Sequence, residues 1–248
     1  TGVTWAAADK GTKMVYSDGT NVVDTAFTDL SSDYTPQLSA TLDTNAQNII
    51  IDSTKGIIDE NSNEQITFTT TSAAVNNFGI TNAATGNTPS LAAVGGDTNI
   101  DFNITPKGIG RATFNGQGKI QSVAEKVTTE ATAATGTLNY DVLTQAVWNL
   151  TTNAAANWTL NVRGDGSNSL DSIMDTGESI TVAHIVSQGA TAYYNSAFTI
   201  DGSSVTPEWQ GGAAPTEGNA SSLDTYTYTI IKTASATFTV LAAQTQFA

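Results

Sequence analysis

Apolar and polar positions alternate with a period of two through much of this chain, the pattern of strands that bury one face. In DTYTYTIIK, Tyr226, Tyr228 and Ile230 fall on one side and Thr225, Thr227 and Thr229 on the other. That spacing predicts an antiparallel strand with one solvated face. QITFTT alternates likewise, with Ile66, Phe68 and Thr70 opposite Gln65, Thr67 and Thr69. Together with the preceding GIIDENSNE it reads as strand, polar turn, strand. Nearer the start, KMVYSDGTNVVD sets two β-rich runs on either side of Asp18-Gly19, a dipeptide favoured in type I′ turns. The predicted hairpin has Tyr16 facing Asn21 and Val15 facing Val22, and it needs support, because a lone hairpin is marginal in water.

From about Val123 the runs NYDVLT, AVWNLT, NWTLNVRG, ESITVAHIVSQG, SAFTIDGSSVTPEW, DTYTYTIIKTA and ATFTVLAAQ follow one another, with turn signals between them. Strands at this density predict a β-sandwich of jelly-roll type. Helical periodicity is nearly absent; AEKVTTEAT is its best candidate and a poor one. Upstream, LSATLDTNAQNIIIDSTKGI from Leu38 and LAAVGGDTNIDFNITPKGIG from Leu91 share a Leu-small-Ala opening, Asp-Thr-Asn, an Asn-Ile strand and a Lys-Gly-Ile turn. They predict a weak internal repeat of stacked modules. The expected organisation is all-β: a hairpin and connector over 1–34, β-rich modules over 35–122, and a C-terminal sandwich over 123–248.

Charge changes the picture of the middle. No charged residue stands between Glu64 and Asp97, and charged residues make up 13% of the chain, about half the roughly 25% of ordinary soluble proteins. A disordered acidic chain would carry more charge and fewer patterned Ile, Val, Phe and Trp residues. The tract therefore reads as folded, with its small uncharged residues packed against another copy of the chain. The net charge of −14 leaves no basic groove for nucleic acid and no attraction to anionic lipid. No apolar run is long enough to span a bilayer. Cysteine is absent, which removes disulfides and thiolate metal sites, and neither a metal nor a cofactor is expected. The chain begins at Thr1, and an anchoring segment is expected upstream of it.

Candidate chemistry is sparse. His184 is the sole histidine and shares a strand face with Ile180, Val182 and Val186, so it reads as a core residue; no GxSxG elbow exists to make it part of a triad. Asp165, Asp171, Asp175 and Glu178 cluster within VRGDGSNSLDSIMDTGES and could serve glycan hydrolysis or calcium, but a turn-rich loop is the preferred reading. Asp59, Asn61 and Asn63 read as a hairpin tip. Trp148 and Trp158 read as core. Trp209 lies in the Pro/Gly-flanked loop VTPEWQGGAAPTEG, either plugging the sandwich end or stacking on a sugar ring. Tyr193 and Tyr194, read as strand neighbours facing opposite ways, and Gln210 complete the candidate receptor-binding set.

These residues carry a family resemblance. The series LDTN, GIIDENSNEQITF, AVNNFGITNAATGNTPSLAA and GGDTNIDFNITPKGIG, preceded by KMVYSDGTNVV, resembles modules of bacteriophage tail-fibre and related virion fibre proteins. The portion from AVWNLTTNAAANWTLNVRG through TVLAAQTQFA resembles a distal domain in fibres of phages that infect aquatic bacteria. The resemblance implies a homotrimeric β-rich fibre on the virion surface, with a shaft and a terminal head and no catalysis. Its implied partners are other virion proteins of the tail, collar or capsid, and a host cell-surface polysaccharide or protein. A capsid decoration protein, a monomeric carbohydrate-binding or adhesin module, and a glycan-degrading tailspike remain as alternatives.

Overall fold

In a computed structural model, the structure describes residues 46–248, residues 19–20, and the backbone of two short strands near the start. Those strands are β1 (Val15–Ser17) and β2 (Val22–Asp24), paired antiparallel with Ser17 opposite Val22 and Tyr16 opposite Val23. The hairpin is present, but its register differs from the expected pairing of Tyr16 with Asn21. A four-residue connection replaces the two-residue turn. Gly19 sits in it at φ +90°, and both β-branched valines enter the ladder. The connector expected after the hairpin, to residue 34, lies outside the described residues.

The chain divides into two compact units, Thr1–Phe102 and Asn103–Ala248. The first contains two further antiparallel hairpins. β3 (Lys55–Ile58) pairs with β4 (Glu64–Phe68), and β5 (Asn76–Thr81) pairs with β6 (Ser90–Gly95). The tip of the first is an Asx turn, as read from the sequence. Asp59 Oδ1 accepts from the backbone N–H of Asn61 at 2.8 Å and of Asn63 at 2.9 Å. Those bonds hold the carboxyl below its ordinary pKa. A Cβ on Gly56 would collide with the Ile66 carbonyl oxygen, so this tight crossing requires glycine. The uncharged tract is therefore folded.

Among the described residues the two copies of the repeat differ, and the opening of the first lies outside them. Lys55-Gly56 opens β3, whereas Lys107-Gly108 lies in a turn, and neither Asn-Ile passage forms a strand. A strand is defined by its partner, and these segments have none among the described residues.

The second unit holds two larger sheets. The chain moves between them at every strand: β7 (Val127–Ala133), β8 (Gly136–Asp141), β9 (Val147–Thr152), β10 (Trp158–Arg163), β11 (Ser179–Ser187) and β12 (Asn195–Ile200). β7, β9 and β11 are parallel neighbours in one sheet, and β8, β10 and β12 are parallel neighbours in the other. The chain thus winds through three turns of a flattened coil. This is not the antiparallel pattern of a jelly roll. The poor helix candidate AEKVTTEAT runs into strand β7 from Val127, as its Val127, Thr128, Thr129 and Thr132 favour.

Backbone bonds stack the corners of successive turns. Ala155 N–H donates to Ala134 O at 2.9 Å, and Val142 N–H donates to Arg163 O at 3.0 Å. Side chains stack as well. Asn139, Asn161 and Thr199 align across β8, β10 and β12. Asn161 Nδ2 donates to Asn139 Oδ1 at 2.8 Å, and Asn161 Oδ1 accepts from Thr199 Oγ1 at 2.8 Å. Beside them Arg163 Nε pairs with Asp141 Oδ1 at 2.6 Å.

Between β10 and β11 a single helical turn, α1 (Leu170–Ile173), is capped by Ser169 Oγ accepting from Ser172 N–H. The Asp201 carboxylate accepts from the N–H groups of Leu170 and Asp171, filling the remaining first-turn donors. Asp201 and Gly202, at φ 51° and 80°, form the tight turn from β12 to β13 (Ser203–Ser204). β14 (Glu208–Trp209) then pairs parallel with β16 (Thr237–Phe247), and β15 (Leu223–Ala234) lies antiparallel between β11 and β16. The sheets run β14-β16-β15-β11-β9-β7 and β13-β12-β10-β8.

One core lies between the inner faces of the two sheets. Trp158 on β10 meets Tyr226 on β15 edge-on at 5.5 Å, and Phe198 on β12 lies 4.6 Å from Tyr228. Tyr226, Tyr228 and Ile230 are fully buried while the alternating threonines are not, as the sequence pattern requires. His184 points inward, at 0% exposure.

Candidate functional site

Trp209 stands where the parallel pair β14–β16 meets a Gly-rich turn. Its backbone sits opposite Ala242, Gln210 N–H donates to Ala242 O at 2.8 Å, and Gly212 N–H returns to Trp209 O at 2.9 Å. Gly211 and Gly212 take φ +83° and +81°, a turn that only glycine makes without strain. One edge of the indole packs on Tyr228 with ring centroids 6.0 Å apart, so the side chain closes the core at this edge. It is nevertheless only half-buried. This packing fits the reading of Trp209 as a plug, and part of the indole stays open to solvent.

The exposed part of the indole walls three adjoining hollows of about 270, 410 and 470 Å³. The first is bounded by Phe198, Pro207 and Pro215, the second by Thr227, Thr229 and Leu241, and the third by Gln210, Gln244 and Gln246. Glu208 is the sole charged residue lining any of them. An aromatic face ringed by amide and hydroxyl groups fits an uncharged ligand carrying both apolar and hydrogen-bonding faces. Gln244 is held in place, its Nε2 reaching the Tyr226 hydroxyl and the Glu217 carbonyl, each at 3.1 Å.

Of the four candidate residues, Trp209 and Gln210 come together. Tyr193 and Tyr194 precede β12 rather than lying in a strand, and neither lines the hollows. Tyr193 exchanges bonds with the Gln188 side chain, donating its N–H to Oε1 and accepting from Nε2. Tyr194 N–H donates to Asn157 Oδ1. Gln244 and Gln246 were missed by the sequence reading. Their signal was the polar end of β16, which only tertiary pairing brings beside Trp209.

The acidic loop is divided among separate partners. Asp165 Oδ1 accepts from the N–H groups of Ser167 and Asn168, which lower its pKa. Asp171 pairs with Lys232 Nζ at 2.7 Å, and Asp175 and Glu178 each lie 2.6 Å from Arg111. No group of three or more His, Cys, Asp and Glu is placed to hold a metal ion among the described residues. Among them, too, no helix is long and apolar enough to cross a membrane.

His184 lies 5.2 Å from the Trp148 ring and 6.0 Å from that of Trp158. Neither its nitrogens nor the two indole N–H groups have a partner. Burial drives its pKa down to about 3, against a smaller opposing pull from the Trp148 backbone.

A different surface occupies the first unit and the segment after it. No residue from 46 to 133 is buried. On the β5–β6 hairpin, register puts Phe78, Ile80, Leu91 and Ala93 on one face, with Ile80 85% exposed. Ile57 lies opposite Ile66 on β3–β4, and both are exposed.

No protein-family model, no curated protein and no solved structure matches this chain.

Proposed function

We propose that this chain is a structural fibre protein on the surface of a bacteriophage virion. It assembles as a homotrimer, with the uncharged hairpin region as shaft and the C-terminal two-sheet unit as a head that attaches to a host-surface glycan without catalysis. The resemblance of its modules to virion fibre proteins supports this reading. The observation that carries it is the absence of any buried residue between 46 and 133 in a region of regular hairpins with apolar faces. Two-stranded sheets are marginal alone, and a face bearing Phe78, Ile80 and Leu91 reaches low free energy only when covered. The tract from 65 to 96 carries no charge, so identical copies of a chain with net charge −14 meet there without repulsion.

In the head, Trp209 and Gln210 with Gln244 and Gln246 form the attachment surface, and repetition over three chains multiplies weak contacts. Light scattering on the purified chain, with SDS gels run without boiling, tests the assembly. A trimer is expected; a monomer overturns the shaft reading. A monomeric carbohydrate-binding module is the second reading, favoured by the second unit having its own closed core. It predicts a folded monomer that retains glycan binding.

A further inference from the structure

A different kind of site, sharing no lining residue with the Trp209 hollows, lies elsewhere in the second unit. A pocket of about 500 Å³ opens between the β8–β9 connection, the end of α1 and the start of β11. Its wall is largely aliphatic: Val142, Leu143, Ile173, Met174, Ile180 and Val182. Met174 and Val182 belong to the buried core, while Leu143 at the mouth is 44% exposed. The space, about 500 Å³, matches the range of small-molecule sites and equals the liquid volume of about seventeen waters at roughly 30 Å³ each.

Two polar features give the pocket chemical character. Gln145 lines it and is 6% exposed. Its Oε1 accepts from Thr128 Oγ1 at 3.0 Å, which fixes the amide plane, and its Nε2 has no hydrogen-bond partner. Without a protein partner, this amide N–H is a ready donor to a ligand oxygen or a water inside an otherwise aliphatic wall. At the mouth, Arg111 is already committed: Nη1 lies 2.6 and 2.7 Å from the Glu178 oxygens, and Nη2 lies 2.6 Å from Asp175. Two carboxylates against one guanidinium leave the rim with no spare positive charge for an anion.

We infer that this pocket binds a neutral aliphatic molecule bearing one hydrogen-bond acceptor, a ketone, ester or alcohol oxygen, with Gln145 Nε2 as the donor. The alkyl portion lies on Ile173, Met174 and Ile180. The site is separate from the Trp209 surface and does not depend on the fibre reading.

The test uses the full chain with 2-octanone as probe, followed by titration calorimetry and ligand-observed NMR. Octanoate, similar in length but anionic, is the comparator. Saturable binding of one 2-octanone per chain is expected, with octanoate at least tenfold weaker. Gln145→Leu should weaken 2-octanone about three- to tenfold, the worth of one hydrogen bond. Leu143→Trp, at the exposed mouth, should abolish binding while thermal unfolding stays unchanged. Absence of saturable binding overturns the inference, whether the pocket is dry or filled by a second copy of the chain. Undiminished binding to Leu143→Trp, or octanoate binding as tightly as the ketone, overturns it equally.

Discussion

Lowering the pH from 7 to 5 should destabilise the second unit, and His184 is the reason. In the fold it is neutral, with a pKa near 3, whereas in the unfolded chain it titrates at 6.5. Below pH 6.5 the unfolded state therefore binds the extra proton. Stability from this residue is complete above that value and is lost progressively as pH falls toward 3. At about 1.36 kcal/mol per pH unit, moving from pH 7 to pH 5 removes about 2 kcal/mol. For a unit of this size that lowers the melting temperature by about 4–8 °C. Aromatic rings flank the imidazole, and neither nitrogen has a partner, so no local charge offsets the loss. Asp224, raised in pKa chiefly by burial, works in the opposite sense, but it is common to both proteins in the comparison. The assay is urea unfolding at pH 7 and pH 5 of the wild type and His184→Leu. The variant should lose little between the two values and be no less stable at pH 7, because it also removes two unsatisfied buried nitrogens. An equal loss in both proteins, or a flat wild type, refutes the reasoning.

Three other expectations bear on the assembly, the coil and the attachment surface. Phe78→Ser with Ile80→Ser should break the native assembly in light scattering yet leave the unfolding of the second unit within about 0.5 kcal/mol, since both positions are exposed and in the other unit. Asn161→Leu should cost about 2–3 kcal/mol in urea unfolding, because it strands the Asn139 carbonyl, the Thr199 hydroxyl and the Gly202 N–H, all of which its amide satisfies. Trp209→Ala should abolish adsorption to host cells with native mass unchanged; adsorption at the wild-type level would remove the indole from the attachment surface.

The features that were legible in the sequence are the ones set by neighbours along the chain. Alternation alone placed Tyr226, Tyr228 and His184 inward, and the Asp59 turn followed from its own side chain. The path between strands was not legible. Ala134-Thr135 is as short as a hairpin turn, yet it carries the chain across to the opposite sheet, with Gly136 at φ +59°. Nothing local separates a corner that crosses from one that folds back, since the difference lies in which distant strand supplies the hydrogen bonds. The same limit hid the Asn139–Asn161–Thr199 ladder and the pairing of β14 with β16. In the candidate site, Trp209 and Gln210 were visible as loop residues, but Gln244 and Gln246 reach them only through that pairing.

The three-turn coil has two unlike ends. β15 and β16 close one with an antiparallel hairpin, while β7 and β8 form the outer strands at the other. A protein built this way can change length without changing the surface around Trp209. Duplicating the stretch from Val127 to Ala146 would insert one more turn, advancing the stack by about 4.8 Å, the spacing of neighbouring strands. The copied Asn139 extends the side-chain ladder and so supplies register for such an insert, while the Trp209 surface, on β14 beside the closing hairpin, stays untouched. The length of the coil and the make-up of the Trp209 surface are thus separate quantities in this chain, free to vary one at a time under selection or by design.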